Sequence, residues 1–315
     1  MRQFIHMEAS TVQEASKNAA KGNVMVIAGG TDLLGTLKDE ILPTYPSVII
    51  DLKTIKDLDQ IQEEDGQIVI GALAKLADVA DSQVVRTHAQ ALAEACGRVA
   101  SPTIRHMATL GGNICQMHRC WYFRTPDDRF HCGRKGGKTC PAYDGDNRYH
   151  SIFGHQHGCV AASSHDTAPA LIALGATIVT SSRTVPAEEF FAANGFRSCI
   201  LEDGEIVTHV QVPKSKKSVF EKFALRKSID FPIVNCAAAY GADGAVRVAM
   251  GGVYPAPLRI EAAETAVAGG ITETTAKKAG DDAVADCTPL AGNAYKVEIA
   301  RTMVKRTLLR LGDGR

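Results

Sequence analysis

Nine cysteines occur in the chain, and five of them (Cys115, Cys120, Cys132, Cys140 and Cys159) fall within 45 residues. A disulfide-stapled secreted domain would be shorter and would carry a leader, so the cluster reads better as metal ligation in a reducing compartment. Cys120-x11-Cys132-x7-Cys140-x18-Cys159 offers four thiolates on a Gly-containing stretch. Zinc prefers paired Cys-x2-Cys knuckles, which are missing here, whereas an iron–sulfur cluster tolerates irregular spacing. Arg119, Arg124, Arg134, Lys135 and Lys138 would offset the negative charge of such a cluster. Spacing alone leaves iron–sulfur, zinc and a metal-free loop open. Cys115 follows a glycine turn and reads as a packing residue. Cys96, Cys199, Cys236 and Cys287 are scattered and read as small buried hydrophobes.

Two glycine pairs are the next candidates. In Val26-Ile27-Ala28-Gly29-Gly30-Thr31-Asp32-Leu33 an apolar strand runs into a turn and then a helix-compatible stretch. Glycines there allow backbone N–H groups to approach a phosphate, although the spacing is not that of a Rossmann dinucleotide loop. Thr109-Leu110-Gly111-Gly112-Asn113 is a second such loop, and a pyrophosphate held between two backbone nests is a recurring solution. Each loop alone is also compatible with a plain tight turn. Ser163-Ser164-His165-Asp166 invites comparison with a hydrolase triad, but triad members come from separate elements. Asp166 or Thr167 reads instead as a helix cap before Pro169, with Asp166 also able to accept hydrogen bonds from a ribose or adenine.

The elements that would position these residues alternate in the first third. Strands are expected at 24–28, 47–52 and 67–70, the last after the Asp65-Gly66 turn, with helices at 32–38, 73–79 and 89–96. From Cys115 to about His157 periodicity vanishes, six of the ten histidines lie between 118 and 165, and aromatic residues are dense. A loop of that length is disordered or functional, and its aromatic content argues for function. A helix at 168–174 and strands at 177–180, 206–212, 231–240, 246–250 and 248–254 follow. The final 50 residues place Val297, Ala300, Val304, Leu308 and Leu311 on one helical stripe. Antiparallel-type alternation begins after residue 180, where a domain division is expected.

Composition bounds the function classes. Lys+Arg and Asp+Glu are equal at 35 each, so no net field recruits nucleic acid or an anionic membrane. No apolar run approaches the roughly 20 residues of a membrane span, and the first 25 residues lack a signal-peptide pattern, so a cytoplasmic location is expected.

Four strings, VIAGGTDLL (26–34), IRHMATLGGNICQ (104–116), SSHDTAPALIALGA (163–176) and VAMGGVYPAPLRIEAAE (248–264), together resemble the FAD-binding medium subunit of the xanthine dehydrogenase, or molybdenum hydroxylase, family. The resemblance implies an α+β fold: a two-lobed α/β FAD-binding domain over 1–180, with an insertion at about 115–160, and a smaller antiparallel-sheet-plus-helix domain over 181–315. It implies FAD pyrophosphate at Val26, Ile27, Ala28, Gly29, Gly30, Thr31, Asp32 and Leu33, and a second contact through Thr109, Gly111, Gly112 and Asn113. Asp166 matches an adenosine-side acid and Lys222 a basic residue near the isoalloxazine. Insertions at this point that carry a [4Fe–4S] cluster are found in the beta subunit of 4-hydroxybenzoyl-CoA reductase and in periplasmic aldehyde oxidoreductases. Cys120, Cys132, Cys140 and Cys159 look like that ligand set, and Ser228 to Pro232 is similar to the reductase type.

The function implied is electron relay, most like that of the 4-hydroxybenzoyl-CoA reductase beta subunit, to a molybdenum-cofactor-binding large subunit and a [2Fe–2S] small subunit, with ferredoxin or NAD(P) as the external partner. An FAD subunit of an aldehyde or purine/N-heterocycle dehydrogenase is the alternative within the family. A stand-alone flavoenzyme and a zinc-stabilised binding module are the alternatives outside it.

Overall fold

A computed structural model describes residues 1–192 and 195–313. The chain opens with a three-stranded parallel sheet of β1 (Ile5–Glu8), β2 (Val24–Ile27) and β3 (Val48–Asp51), in the order β1-β3-β2. Parallel neighbours require crossovers, which α1 (Val12–Ala19) and α2 (Leu33–Lys38) supply. Thr11 caps α1 by accepting from the Glu14 N–H at 3.1 Å.

β4 (Ile61–Glu64) and β5 (Gln67–Gly71) form a hairpin whose turn residues, Asp65 and Gly66, both have positive φ (47° and 77°). That backbone matches the twist of the flanking strands. The chain then runs through α3 (Leu76–Asp81), α4 (Gln83–His88), α5 (Gln90–Gly97), α6 (Pro102–Arg105) and α7 (Leu110–Ile114). After these come the cysteine-bearing segment, with one short α-helix, α8 (Trp121–Arg124), and two 3-10 turns at Pro126–Asp128 and Gly133–Lys135, and then α9 (Thr167–Ala173). β6 (Thr177–Thr180), β7 (Thr184–Pro186), α10 (Ala187–Phe190) and β8 (Val207–Pro213) complete a five-stranded sheet of order β4-β5-β8-β6-β7. The division expected near residue 180 falls inside this sheet, at the end of β6. Alternation at 206–212 reports a half-buried strand, but not that its neighbours are β5 and β6.

The last sheet is antiparallel: β9 (Ser218–Phe223), β10 (Val234–Tyr240), β11 (Val246–Gly251) and β12 (Leu258–Arg259), in the order β12-β11-β10-β9. It is covered by α11 (Glu261–Ala266), α12 (Glu273–Asp282) and α13 (Tyr295–Gly312). Ala300, Val304, Leu308 and Leu311 of the expected stripe are buried against β10. Two strand expectations shift. β10 starts at Val234, after Pro232, which lacks an N–H for a central ladder. β11 ends at Gly251, because Gly252 turns the chain with φ 79°.

All seven residues of α9 are buried, and α9 shares one core with α5, the five-stranded sheet and the inner face of β10. The residue that precedes it, Asp166, is therefore fixed where three parts of the chain meet.

Candidate functional site

A cavity of about 600 Å³ opens between the first sheet, α7 and the 196–205 loop, a size usual for cofactor sites. All of Val26 to Leu33 line it, as do Thr109, Gly112, Asn113 and Asp166. Glycine is needed at the first turn for packing as well as for any ligand. A Cβ on Gly29 would lie 2.0 Å from the Met107 carbonyl oxygen, and Gly30 has φ 72°. The second loop is set by Thr109, whose Oγ1 accepts from the Gly112 N–H at 3.1 Å. Gly111 faces away from the cavity, its Cα against Ala72.

Asp166 makes no helix-cap hydrogen bond, contrary to the capping role expected from sequence. Its Oδ2 lies 2.6 Å from Lys222 Nζ, and Oδ1 accepts from Asn235 Nδ2 at 2.9 Å. Burial pushes this carboxyl up, against the opposing pull of Lys222. Lys222 stands behind Asp166 rather than in the cavity wall, and its ammonium also donates to the Arg98 carbonyl. The Ser-His-Asp string makes no triad. His165 Nδ1 meets Ser163 Oγ at 2.9 Å while Asp166 turns to Lys222.

Asp32 takes a part that the sequence motif did not announce. Its Oδ1 pairs with Arg124 at 2.8 Å and Arg119 at 3.0 Å, and Oδ2 accepts from the Met117 N–H at 3.0 Å. Burial alone would raise this carboxyl, but the two guanidinium groups outweigh it and hold it below the usual range. Arg119 also lies 4.9 Å over the Phe231 ring, and both residues line the cavity. The first glycine turn and the cysteine-bearing segment are thus one unit. Ser164 and Phe231 complete the wall with Phe196 and Arg197, which had not stood out in the sequence.

The cysteine-bearing segment has its own packing. Trp121 meets Tyr149, and Tyr122 meets Phe130, edge-on at 5.5 and 5.0 Å. Asn293 Nδ2 donates to the carbonyls of His150 and Ser151, and the buried Lys296 ammonium donates to those of Tyr149 and His150. These contacts, none of which involves a sulfur, pack the segment against α13 and the rest of the chain. Among the described residues no three His, Cys, Asp or Glu side chains stand in an arrangement that could hold a metal ion. The four cysteines expected as ligands are all free, Cys132 buried and the others half-buried. Cysteine ligates as the thiolate, and burial pushes Cys120 up to about 12 and raises Cys132.

The sulfurs are nonetheless neighbours. The Cys140 thiol hydrogen-bonds Cys159, while Cys120 and Cys132 both interact electrostatically with Cys159. That bond from Cys140, aided by Arg134, brings Cys159 down to about 5. Cys120 Sγ lies 3.2 Å from His150 Nε2. Cys115 lies apart from this group, on the cavity wall, where its thiol bonds Cys199.

Comparison with known proteins decides the family. Residues 2–215 match the FAD-binding domain in molybdopterin dehydrogenase, and residues 219–311 match the CO dehydrogenase flavoprotein C-terminal domain. This chain belongs to that family. It is an FAD-binding medium subunit of the xanthine dehydrogenase/CO dehydrogenase type. It is 33% identical to the aldehyde oxidoreductase FAD-binding subunit PaoB of Escherichia coli K12, across 98% of this chain and 96% of that one. It is 29% identical to the carbon monoxide dehydrogenase medium chain of Hydrogenophaga pseudoflava, across 90% and 87%. The solved carbon monoxide dehydrogenase of that organism superposes with a TM-score of 0.76 at 27% identity, covering 99% of this chain and 97% of that one. The two-part α/β and antiparallel fold is that of the CO dehydrogenase medium subunit. Among the described residues no helix is long and apolar enough to cross a membrane.

Proposed function

We propose that this subunit relays electrons between an external partner, ferredoxin or NAD(P), and a molybdenum-cofactor-binding large subunit with its [2Fe–2S] small subunit. FAD would lie in the 600 Å³ cavity, and a [4Fe–4S] cluster would be held by Cys120, Cys132, Cys140 and Cys159. The observation that carries this reading is the gathering of three free cysteines around a fourth, Cys159, in a segment that Asp32 fastens to the flavin loop. By donor chemistry the set fits a thiolate-bound cluster, which needs four sulfurs in a pocket.

The FAD pyrophosphate would rest on backbone N–H groups of Gly29 to Asp32, with Gly112 and Asn113 lining the cavity beside it. Asp166 would accept a hydrogen bond from the cofactor, and Lys222 would act through Asp166 by holding its carboxylate in place. When bound, the flavin supplies exchange between two-electron and one-electron carriers, while the protein fixes spacing and tunes potential. The aromatic and Arg119 wall would keep water from the redox centres.

Two cluster-carrying types resemble the insertion. Likeness to the E. coli aldehyde oxidoreductase subunit along 98% of the chain favours electrons leaving an oxidised substrate. The 4-hydroxybenzoyl-CoA reductase type would run them inward. The test is purification of the complex from its host under anaerobic conditions, with cofactor chromatography and metal analysis. FAD, about four irons on this chain beyond those of the small subunit, and molybdenum on a larger chain are the expected outcome. Zinc in place of iron, or active fractions lacking molybdenum, would sink the proposal.

A further inference from the structure

Arg134 is buried to 8% exposure within the cysteine-bearing segment, yet among the described residues it has no carboxylate partner. Its Nε donates to Cys159 Sγ at 3.0 Å, and Nη1 donates to the carbonyls of Gly195 and Arg197 at 3.2 and 3.0 Å. Among the described residues its Nη2 is buried with no partner. A buried cation without a countercharge is costly, and a buried N–H left unspent adds to that cost. The groups that can supply negative charge beside it are sulfurs. The two accepting carbonyls belong to the loop whose Phe196 and Arg197 line the flavin cavity. One guanidinium therefore touches both proposed redox sites.

We infer that Arg134 is a positioning residue that sets the reduction potential of the sulfur-bound centre and ties its geometry to the flavin loop. This inference rests on the iron–sulfur reading above. One-electron reduction of a cluster with four thiolate ligands adds a unit of negative charge and neither forms nor breaks a bond. A fixed cation and an N–H···S hydrogen bond at a ligand sulfur stabilise the reduced form more than the oxidised one, and so raise the potential. Arg suits the task because its fork reaches a sulfur and two carbonyls at once and stays charged, whereas an ammonium is a point donor on a flexible stem.

The test uses the whole complex carrying Arg134→Gln or Arg134→Lys, with EPR-monitored redox titration of the cluster signal, iron content, and FAD content as readouts. Arg134→Gln should retain iron and titrate at lower potential by at least a tenfold change in the oxidised-to-reduced ratio, about 59 mV for one electron. Arg134→Lys, which keeps the charge but not the fork, should fall by less. A purely structural role would lower iron occupancy without moving the midpoint of the clusters that remain. An unchanged midpoint in Arg134→Gln with iron present would overturn the inference and leave the iron–sulfur reading standing. If Arg134→Gln holds no iron, Arg134→Lys decides: a lowered midpoint supports the inference and a wild-type midpoint refutes it. Absence of iron from the wild-type chain would instead defeat the reading on which it rests.

Discussion

Asp32 and Arg124 lie 2.8 Å apart, and this ion pair joins the first glycine turn to the cysteine-bearing segment. Arg124 extends the tie by donating to the carbonyls of His118 and Met117 and to Thr36 Oγ1. Asp32→Asn would leave two largely buried guanidinium groups facing each other without their carboxylate. A loss of about 2 kcal/mol is expected, below the roughly 3–5 kcal/mol of a fully buried pair because Asp32 is not fully dry. FAD occupancy should fall alongside it. Urea unfolding and cofactor release measured on one preparation check this; full FAD occupancy with unchanged stability would show that the tie is idle.

The two glycine turns call for different tests. Gly29→Val drives a side chain into the Met107 carbonyl and should cost the fold, so it says little about a ligand. Gly112 is the discriminating position, because a Cβ there meets only the Thr109 hydroxyl, at 3.0 Å. Gly112→Val should weaken FAD binding by about tenfold or more, roughly 1.4 kcal/mol, while far-UV circular dichroism stays that of the parent. Stoichiometric FAD in this variant would remove the second loop from the site.

Much of this was legible in the residues. The strand-to-glycine turn placed Val26 to Leu33, because local chemistry fixes a tight turn whatever surrounds it, whereas Thr109 to Asn113 form the capped start of α7. The partners of a side chain were not legible. Asp166 reads as a helix cap from its neighbours, yet Lys222, 56 residues away, draws its carboxylate elsewhere. Asp32 reads as a helix-start and pyrophosphate-site residue, and only the fold shows Arg119 and Arg124 on it. The sheet to which 206–212 belongs was hidden for the same reason: alternation reports burial on one face and carries nothing about long-range register.

Glu205 gives a pH test at the cavity rim. Its carboxylate accepts from Thr180 and Ser182 hydroxyls, from Arg183 through two nitrogens, and from the Glu202 N–H. Burial would raise it, but these donors bring it down to about 2. A depressed carboxyl stabilises the fold above its unfolded value and loses that contribution as pH falls through the folded value. Glu205→Gln should therefore cost about 2 kcal/mol at pH 7. The gap from the parent should narrow between roughly pH 4.5 and pH 2. Urea melts at pH 7, 4 and 3 decide it, and a gap constant across that range would refute the assignment.

The cysteines separate ligand from packing residue. Cys120, Cys132, Cys140 and Cys159 form one electrostatic neighbourhood centred on Cys159, whereas Cys115 bonds Cys199 on the cavity wall. Each of the four changed to Ser should abolish a broad visible absorbance and about four irons per chain. Cys115→Ser should keep the iron. The segment should stay folded in all five variants, since Trp121, Tyr122, Asn293 and Lys296 hold it by contacts that involve no sulfur. That separates loss of a ligand from loss of the loop, and protease sensitivity between residues 125 and 150 is the control. Iron retained in any of the four variants, or lost with Cys115→Ser, would show that the ligand set is drawn wrongly. Loss of iron accompanied by new cleavage in every variant would mean that the sulfurs, and not the aromatic contacts, hold the segment together.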